Sequence, residues 1–301
     1  MRAFYVALLA ALTCLVGEVA SAQTADRSID EIKTETLARS QTGAYPLLGI
    51  QPADASDALG RLRSRDPDEW AAAWSAVADG YMAKAKAANE PAEADANFIK
   101  AWRLYYFGQW PAPTSAGKQA AYRRAIDAYL QHARYFDPPL EVVRIPYRAG
   151  EIVGYLRLPA NAPRPVPLVL AISGLDSRKE TVAETYAAAL PQGIGFFAVD
   201  SPGTGEAPRK ADETADDIYS RVLDYLATRV RSTRTASSCT VRVLAAIGRP
   251  SSRIPKPVGL RAPLRNRRRF IAPFSRISSK GGCTLANICS TCFPRVCSSM
   301  A

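Results

Sequence analysis

The side chains that could do chemistry are few and oddly placed. His132 is the single histidine of the chain. No G-x-S-x-G string occurs anywhere, so a serine nucleophile on a strand-to-helix elbow has no signature here. Two polar turns instead follow apolar runs: Ser173-Gly174-Leu175-Asp176 and Asp200-Ser201-Pro202-Gly203-Thr204-Gly205-Glu206. The glycines of the second could cradle a phosphate. That loop lacks the GK[ST] of a P-loop and a third glycine opening a helix, so a tight strand-exit turn is the better reading. Far downstream, Cys283, Cys289, Cys292 and Cys297 could hold zinc, and Arg265-Asn266-Arg267-Arg268-Arg269 could bind nucleic acid. One C-x-x-C with irregular outer spacings is a weak metal signal. His132 reads as a partly exposed polar residue on a helix rather than as a general base.

The elements that would position these groups change in kind along the chain. At 301 residues the length suggests two domains, at roughly 100–200 residues each. Hydrophobic residues are 48% and charged residues 22%, which excludes collagen-like, coiled-coil and wholly disordered classes. No apolar run after residue 22 approaches the roughly 20 residues that span a bilayer. The net charge of +11 hides a split: residues 230–301 hold 14 Lys+Arg, no acid, and five of the six cysteines. Residues 1–229 hold the other 25 basic and all 28 acidic residues, a net of −3. The composition therefore breaks near residue 230.

Met1-Arg2, the apolar stretch Tyr5 to Val16 and the A-x-A string Ala20-Ser21-Ala22 read as a secretory signal peptide over 1–22, cleaved before Gln23. An uncleaved N-terminal anchor is the alternative. The expected destination is the periplasm or the exterior, with no membrane contact after cleavage. That context also argues against a zinc or nucleic-acid tail.

Residues 23–139 read as a helical domain. Trp70, Trp74, Val77 and Tyr81 fall at i, i+4, i+7 and i+11, behind Asp66 as N-cap, Pro67 at N1 and Glu69 at N3. Phe98, Trp102, Tyr105 and Tyr106 form a second stripe. Tyr122, Ile126, Tyr129, Leu130, Ala133 and Phe136 form a third, stopped by Asp137-Pro138-Pro139. These aromatics could line a pocket; core packing between helices is the plainer reading.

Over 140–229 the period becomes that of strands. Leu140 to Tyr147 and Glu151 to Leu158 alternate around the turn Arg148-Ala149-Gly150, a hairpin. Leu168 to Ile172 and Phe196 to Val199 are continuous apolar runs, as strands buried on both faces require. Ser177-Arg178-Lys179-Glu180 matches a capping box opening a helix to about Leu190. Thr214 to Arg229 is a further helix. The order predicts a mostly parallel sheet with crossover helices.

Val169 to Glu180 (VLAISGLDSRKE) and Val199 to Glu206 (VDSPGTGE) together resemble the α/β-hydrolase superfamily. They are most similar to the branch of fermentation/respiration-switch-type esterases and the 2,6-dihydroxypseudooxynicotine hydrolase, over about residues 65–229. The resemblance implies an α/β fold: a helical cap domain at 23–139, then the first, incomplete half of a hydrolase sheet at 140–229. It implies a serine hydrolase of a small-molecule ester or activated ketone, needing neither metal nor cofactor. By the same resemblance, the turn at Gly174 would offer the Leu175 backbone N–H to an oxyanion. The family order of serine, acid and histidine cannot be completed, because no histidine follows residue 132. Oligomeric state is not readable.

The tail over 230–301 has a third explanation besides zinc and nucleic acid: a shifted reading frame, giving an aberrant, disordered segment. Taking the last base of each codon with the first two of the next, Val230 to Gly248 can be read as SIDPDRIVVYGASFGGYW. That is a strand and a G-x-S-x-G elbow where the topology needs them. Arg269 to Cys297 can be read as VHRTFQPDFQQRRLHAREYLFDLFPARV. One lost base, or two gained, shortly before codon 230 produces the pattern. The chain as written is then expected to lack nucleophile, acid and base, and to leave one buried strand edge open to aggregation. A secreted, non-catalytic binding protein using the helical domain alone is the alternative; a fluorophosphonate probe separates the two.

Overall fold

The computed structural model describes residues 27–160, 166–231 and 246–247. The signal peptide expected at 1–22, the Cys283–Cys297 spacing and the Arg265–Arg269 cluster lie outside the described residues. Two compact units emerge: one ends at Gln109 and resumes over Pro113–Ala125, the other comprises Trp110–Ala112 and the chain from Ile126.

The first unit is helical. Helices α1 (Ile29–Gln41), α2 (Pro52–Arg61), α3 (Pro67–Ala87) and α4 (Pro91–Gln109) precede α5 (Ala116–His132), which crosses the division between the units. Ser28 caps α1 reciprocally with Glu31, its Oγ accepting the Glu31 N–H at 3.2 Å while the Ser28 N–H donates to Glu31 Oε2 at 2.7 Å. Asp66 caps α3 as the sequence predicts, its Oδ1 accepting the N–H groups of Asp68 and Glu69 at 2.9 and 2.8 Å. The two aromatic stripes of this unit are core. Trp74, Phe98, Trp102, Tyr105 and Tyr106 are buried. Trp74 meets Phe107 edge-to-face at 4.6 Å, and Trp70 Nε1 donates to the Phe107 carbonyl.

The second unit is built on a five-stranded sheet. Strands β1 (Glu141–Tyr147), β2 (Gly150–Arg157), β3 (Leu168–Ile172), β4 (Gly195–Val199) and β5 (Ala246–Ile247) lie in the order β1-β2-β4-β3-β5. The β1–β2 and β2–β4 pairs are antiparallel; β4–β3 and β3–β5 are parallel. β1 alternates, burying Val143, Ile145 and Tyr147, as an edge strand with one wet face should. All five residues of both β3 and β4 are buried. Helix α6 (Lys179–Tyr186) and a 3₁₀ turn link β3 to β4, and α7 (Asp217–Arg231) follows β4. Ile218, Val222 and Leu226 of α7 join Leu170, Ile172, Phe197 and Val199 in one apolar cluster.

Four expectations need correction. Glu151 to Leu158 does not alternate: Ile152 to Arg157 are all buried, as β2 lies inside the sheet between β1 and β4. His132 is not partly exposed but buried, its ring 4.7 Å from Phe136 and 6.3 Å from Tyr129. Aromatic neighbours one helical turn away and just past the helix end enclose it, which a polarity-based reading does not foresee. Ser177 and Glu180 form no capping box: the helix begins at Lys179, and both side chains bond elsewhere. The edge of β3 is not wholly open, since β5, from the segment expected to be disordered, pairs Ala246 with Ala171 and Ile247 with Ile172. A buried strand needs partners for its backbone groups, and two residues supply them at its C-terminal end.

Candidate functional site

The two chemistry-bearing turns leave the C-terminal ends of neighbouring parallel strands, where open α/β sheets place their ligand sites. The Ser173 N–H donates to the Val199 carbonyl at 3.0 Å, extending the β3–β4 ladder by one bond. Beyond it the side chains take over. Ser173 Oγ accepts the Ser201 N–H at 3.0 Å, Ser201 Oγ donates to the Ser173 carbonyl, and Thr204 Oγ1 donates to the Ser201 carbonyl at 2.8 Å.

The Ser173–Arg178 turn is held from inside. Ser177 Oγ accepts the Gly174 N–H at 2.6 Å, so that amide is already engaged. The buried Arg178 guanidinium donates to the carbonyls of Leu175 at 3.3 Å, Ser177 at 2.6 Å and Pro111 at 3.1 Å. Leu175 itself is 80% exposed, and its N–H donates to no described residue. The turn thus places an exposed residue, whose N–H meets no described acceptor, on a frame fixed by hydrogen bonds.

Beneath it lies a buried ionic cluster. Lys179 is fully buried, and its Nζ reaches Glu180 Oε1 at 2.9 Å, Asp200 Oδ2 at 3.2 Å and Glu206 Oε2 at 2.6 Å. Asp200 Oδ1 accepts the Lys179 N–H at 2.8 Å, and its Oδ2 accepts the Glu206 N–H at 3.0 Å. Tyr155 of β2 donates to Glu180 Oε1 at 3.0 Å, and its ring lies 5.1 Å from Lys179 Nζ. Burial pushes the Glu180 carboxyl up, against the pull of the Lys179 ammonium, and pushes the Tyr155 phenol up as well. Gly205 makes the loop possible: its φ is +51°, and a Cβ there would sit 2.1 Å from Asp200 Oδ2. The Asp200–Glu206 loop is therefore a strand-exit turn folded around its own aspartate.

Of the residues expected at the site, Gly174 and Leu175 occupy the turn after β3. His132, which the sequence reads as a polar helix residue rather than a general base, lies in the aromatic cluster with Tyr129 and Phe136, and no histidine follows it. The strand and elbow readable in the shifted frame fall on residues outside those described. Sequence reasoning missed the roles of Lys179, Glu180, Asp200 and Glu206. The available signal was four charges gathered in the two short segments that follow the continuous apolar strands β3 and β4.

This half-sheet, with its antiparallel hairpin, parallel core and turns at the strand ends, has the architecture of an α/β-hydrolase. A family model described as "Esterase FrsA-like" matches residues 57–234, and the chain belongs to that family. It is similar to hydrolyase poxO of Penicillium oxalicum, 28% identical over 201 residues that cover 61% of this chain and 47% of poxO. It is also similar to 20-hydroxy-prefusarin hydrolase FUS2 of Gibberella moniliformis, 29% identical over 199 residues, 61% of this chain and 48% of FUS2. The chain spans about half the length of these curated relatives. Among solved structures, AbyA5 overlaps with a TM-score of 0.53 at 20% identity, covering 73% of this chain and 56% of AbyA5. The 2,6-dihydroxy-pseudo-oxynicotine hydrolase overlaps with a TM-score of 0.52 at 24% identity, covering 65% of this chain and 55% of its own. Both support the fold.

Proposed function

We propose that the gene encodes an exported serine hydrolase acting on a carboxylic ester or activated ketone of a small molecule, and that the 301-residue chain is an inactive, frame-shifted version of it. The Leu175 turn carries the reading. Its amide, which donates to no described residue and sits on a turn held by Ser177 and Arg178 at a parallel strand end, is a donor suited to a developing oxyanion; one such donor contributes about 3–4 kcal/mol to a transition state. The nucleophile would be the serine of the G-A-S-F-G string, readable one phase away across Thr240 to Ala245. It would attack the substrate carbonyl while a histidine takes its proton. Neither group exists in the chain as translated. The family match supports this reading, because it ends at residue 234, within the stretch after Asp224 that holds no acid.

The helical domain over 23–139 would serve as a cap shaping the substrate pocket, and residues 1–22 as the cleaved export signal. The test is to insert one base shortly before codon 230, purify both proteins, and treat each with a fluorophosphonate probe and p-nitrophenyl esters. The restored protein is expected to label and turn over; the 301-residue chain is expected to do neither. Enzyme-like turnover by the 301-residue chain, or no serine labelling of the restored one, overturns the proposal.

A further inference from the structure

The ionic cluster under the Leu175 turn is unbalanced. Three carboxylates, Glu180, Asp200 and Glu206, share the single ammonium of Lys179. From the geometry we infer that the folded chain stores a proton on Glu180, making this cluster a built-in pH sensor beneath the strand-exit turns.

The hydrogen bonds decide which carboxyl holds it. Asp200 accepts two backbone N–H groups besides the Lys179 ammonium, so both its oxygens are supplied with donors. Glu206 keeps 33% of its side chain exposed and can solvate a charge. Glu180 has neither advantage. It is fully buried, and its Oε2 meets no hydrogen-bond partner among the described residues. A charged oxygen left bare in the interior costs far more than a neutral hydroxyl in the same place. The groups facing it from other elements are Tyr155 on β2, Asp200 on the β4 exit loop and Tyr129 on α5; Lys179 and Glu184 flank it on α6. Burial raises both phenols, so at neutral pH neither tyrosine competes as an anion. Lys179, already shared with Asp200 and Glu206, attracts Glu180 but cannot neutralise all three.

The sign follows from linkage. An exposed glutamate loses its proton near pH 4.5. Above that pH the unfolded chain has released the proton and the folded chain has not, so folding weakens as pH rises, until Glu180 also ionises. One proton of difference changes the unfolding equilibrium constant by up to about tenfold per pH unit.

Infrared spectroscopy of the full 301-residue chain at about pH 7 reads the proton directly, as the C=O stretch of an un-ionised carboxyl. We expect that band in the folded chain, its loss in guanidinium, and its absence from Glu180→Gln. In parallel, the stability of Glu180→Gln relative to the parent should rise by up to about tenfold per pH unit above about pH 5. Should Glu180→Gln not fold, the parent band must shift when glutamate carboxyls carry ¹³C, and must survive in Glu206→Gln. No band in the folded parent, a band unchanged in Glu180→Gln, or a band that fails either of the last two criteria overturns the inference. None of these outcomes depends on hydrolase activity.

Discussion

Lys179 donates to Asp200 twice, through its backbone N–H at 2.8 Å and through Nζ at 3.2 Å. The first bond fixes where α6 starts; the second fixes where the lysine side chain ends. One aspartate at the end of β4 therefore registers both the backbone and the charge of the segment that leaves β3. The exposed Leu175 turn is carried between them.

Removing the cation should be worse than removing the whole cluster. Lys179→Met leaves Asp200 and Glu206 without an ammonium beside the protonated Glu180, and we expect a loss of about 3–5 kcal/mol in denaturant unfolding. Adding Glu180→Gln and Asp200→Asn to Lys179→Met should recover part of that loss. A Lys179→Met protein as stable as the parent contradicts the assigned role.

Two left-handed glycines separate strain from collision. Gly193 has φ +76° and nothing within 4 Å of a Cβ, so Gly193→Ala should cost only the conformational term, about 1–2 kcal/mol. Gly205 has φ +51°, and its Cβ would strike the Asp200 carboxylate. Gly205→Ala should therefore lose clearly more stability than Gly193→Ala by chemical denaturation. Equal losses would mean that the loop does not close on Asp200.

Hydrogen exchange should distinguish the amides of the turn. Ser173 and Gly174 donate to Val199 O and Ser177 Oγ, and we expect them to be protected. The exposed Leu175 amide donates to no described residue, so it should exchange among the fastest in its segment. Protection at Leu175 equal to that at Ser173 would rule out an available donor.

Acid should reveal the Arg209–Asp212 contact. Hydrogen bonds from Arg209, then from the Thr214 N–H and hydroxyl, hold the Asp212 carboxyl down at about 2 against the usual 3.8. A depressed carboxyl stabilises the fold above its unfolded value and loses that contribution as pH falls through the folded one. The window therefore runs from about 3.8 down to about 2. A carboxyl ¹³C titration should place Asp212 near the lower limit, and Arg209→Ala should move it upward.

The first turn of α3 gives a control remote from the site. Asp66→Ala removes acceptors for two backbone donors and should cost about 1 kcal/mol. Asp66→Asn should cost less.

Much of this protein was readable without coordinates because the determinants are local. The 3.6-residue aromatic stripes of α3 and α4, the Asp66-Pro67 start, the alternation of β1 and the continuous apolar runs of β3 and β4 each follow from neighbours a few residues apart. The break near residue 230 was equally legible, because a run without acids needs no fold to be noticed. Contacts across 20 or more residues were not legible. Ser177-x-x-Glu180 satisfies a local capping pattern, yet Glu180 turns inward to Lys179 and Tyr155, 25 residues upstream, while Ser177 closes on Gly174. His132 is the local exception: it looks solvated by polarity, yet its ring packs against Phe136 four residues on. Sequence alone determined the helical character of α3, α4 and α5 and the strand character of β1, β3 and β4, because backbone preference and hydrophobic period act within a turn or two. Only the tertiary structure decided which charges are buried together, because pairing Lys179 with Asp200 requires β3 and β4 to lie side by side first.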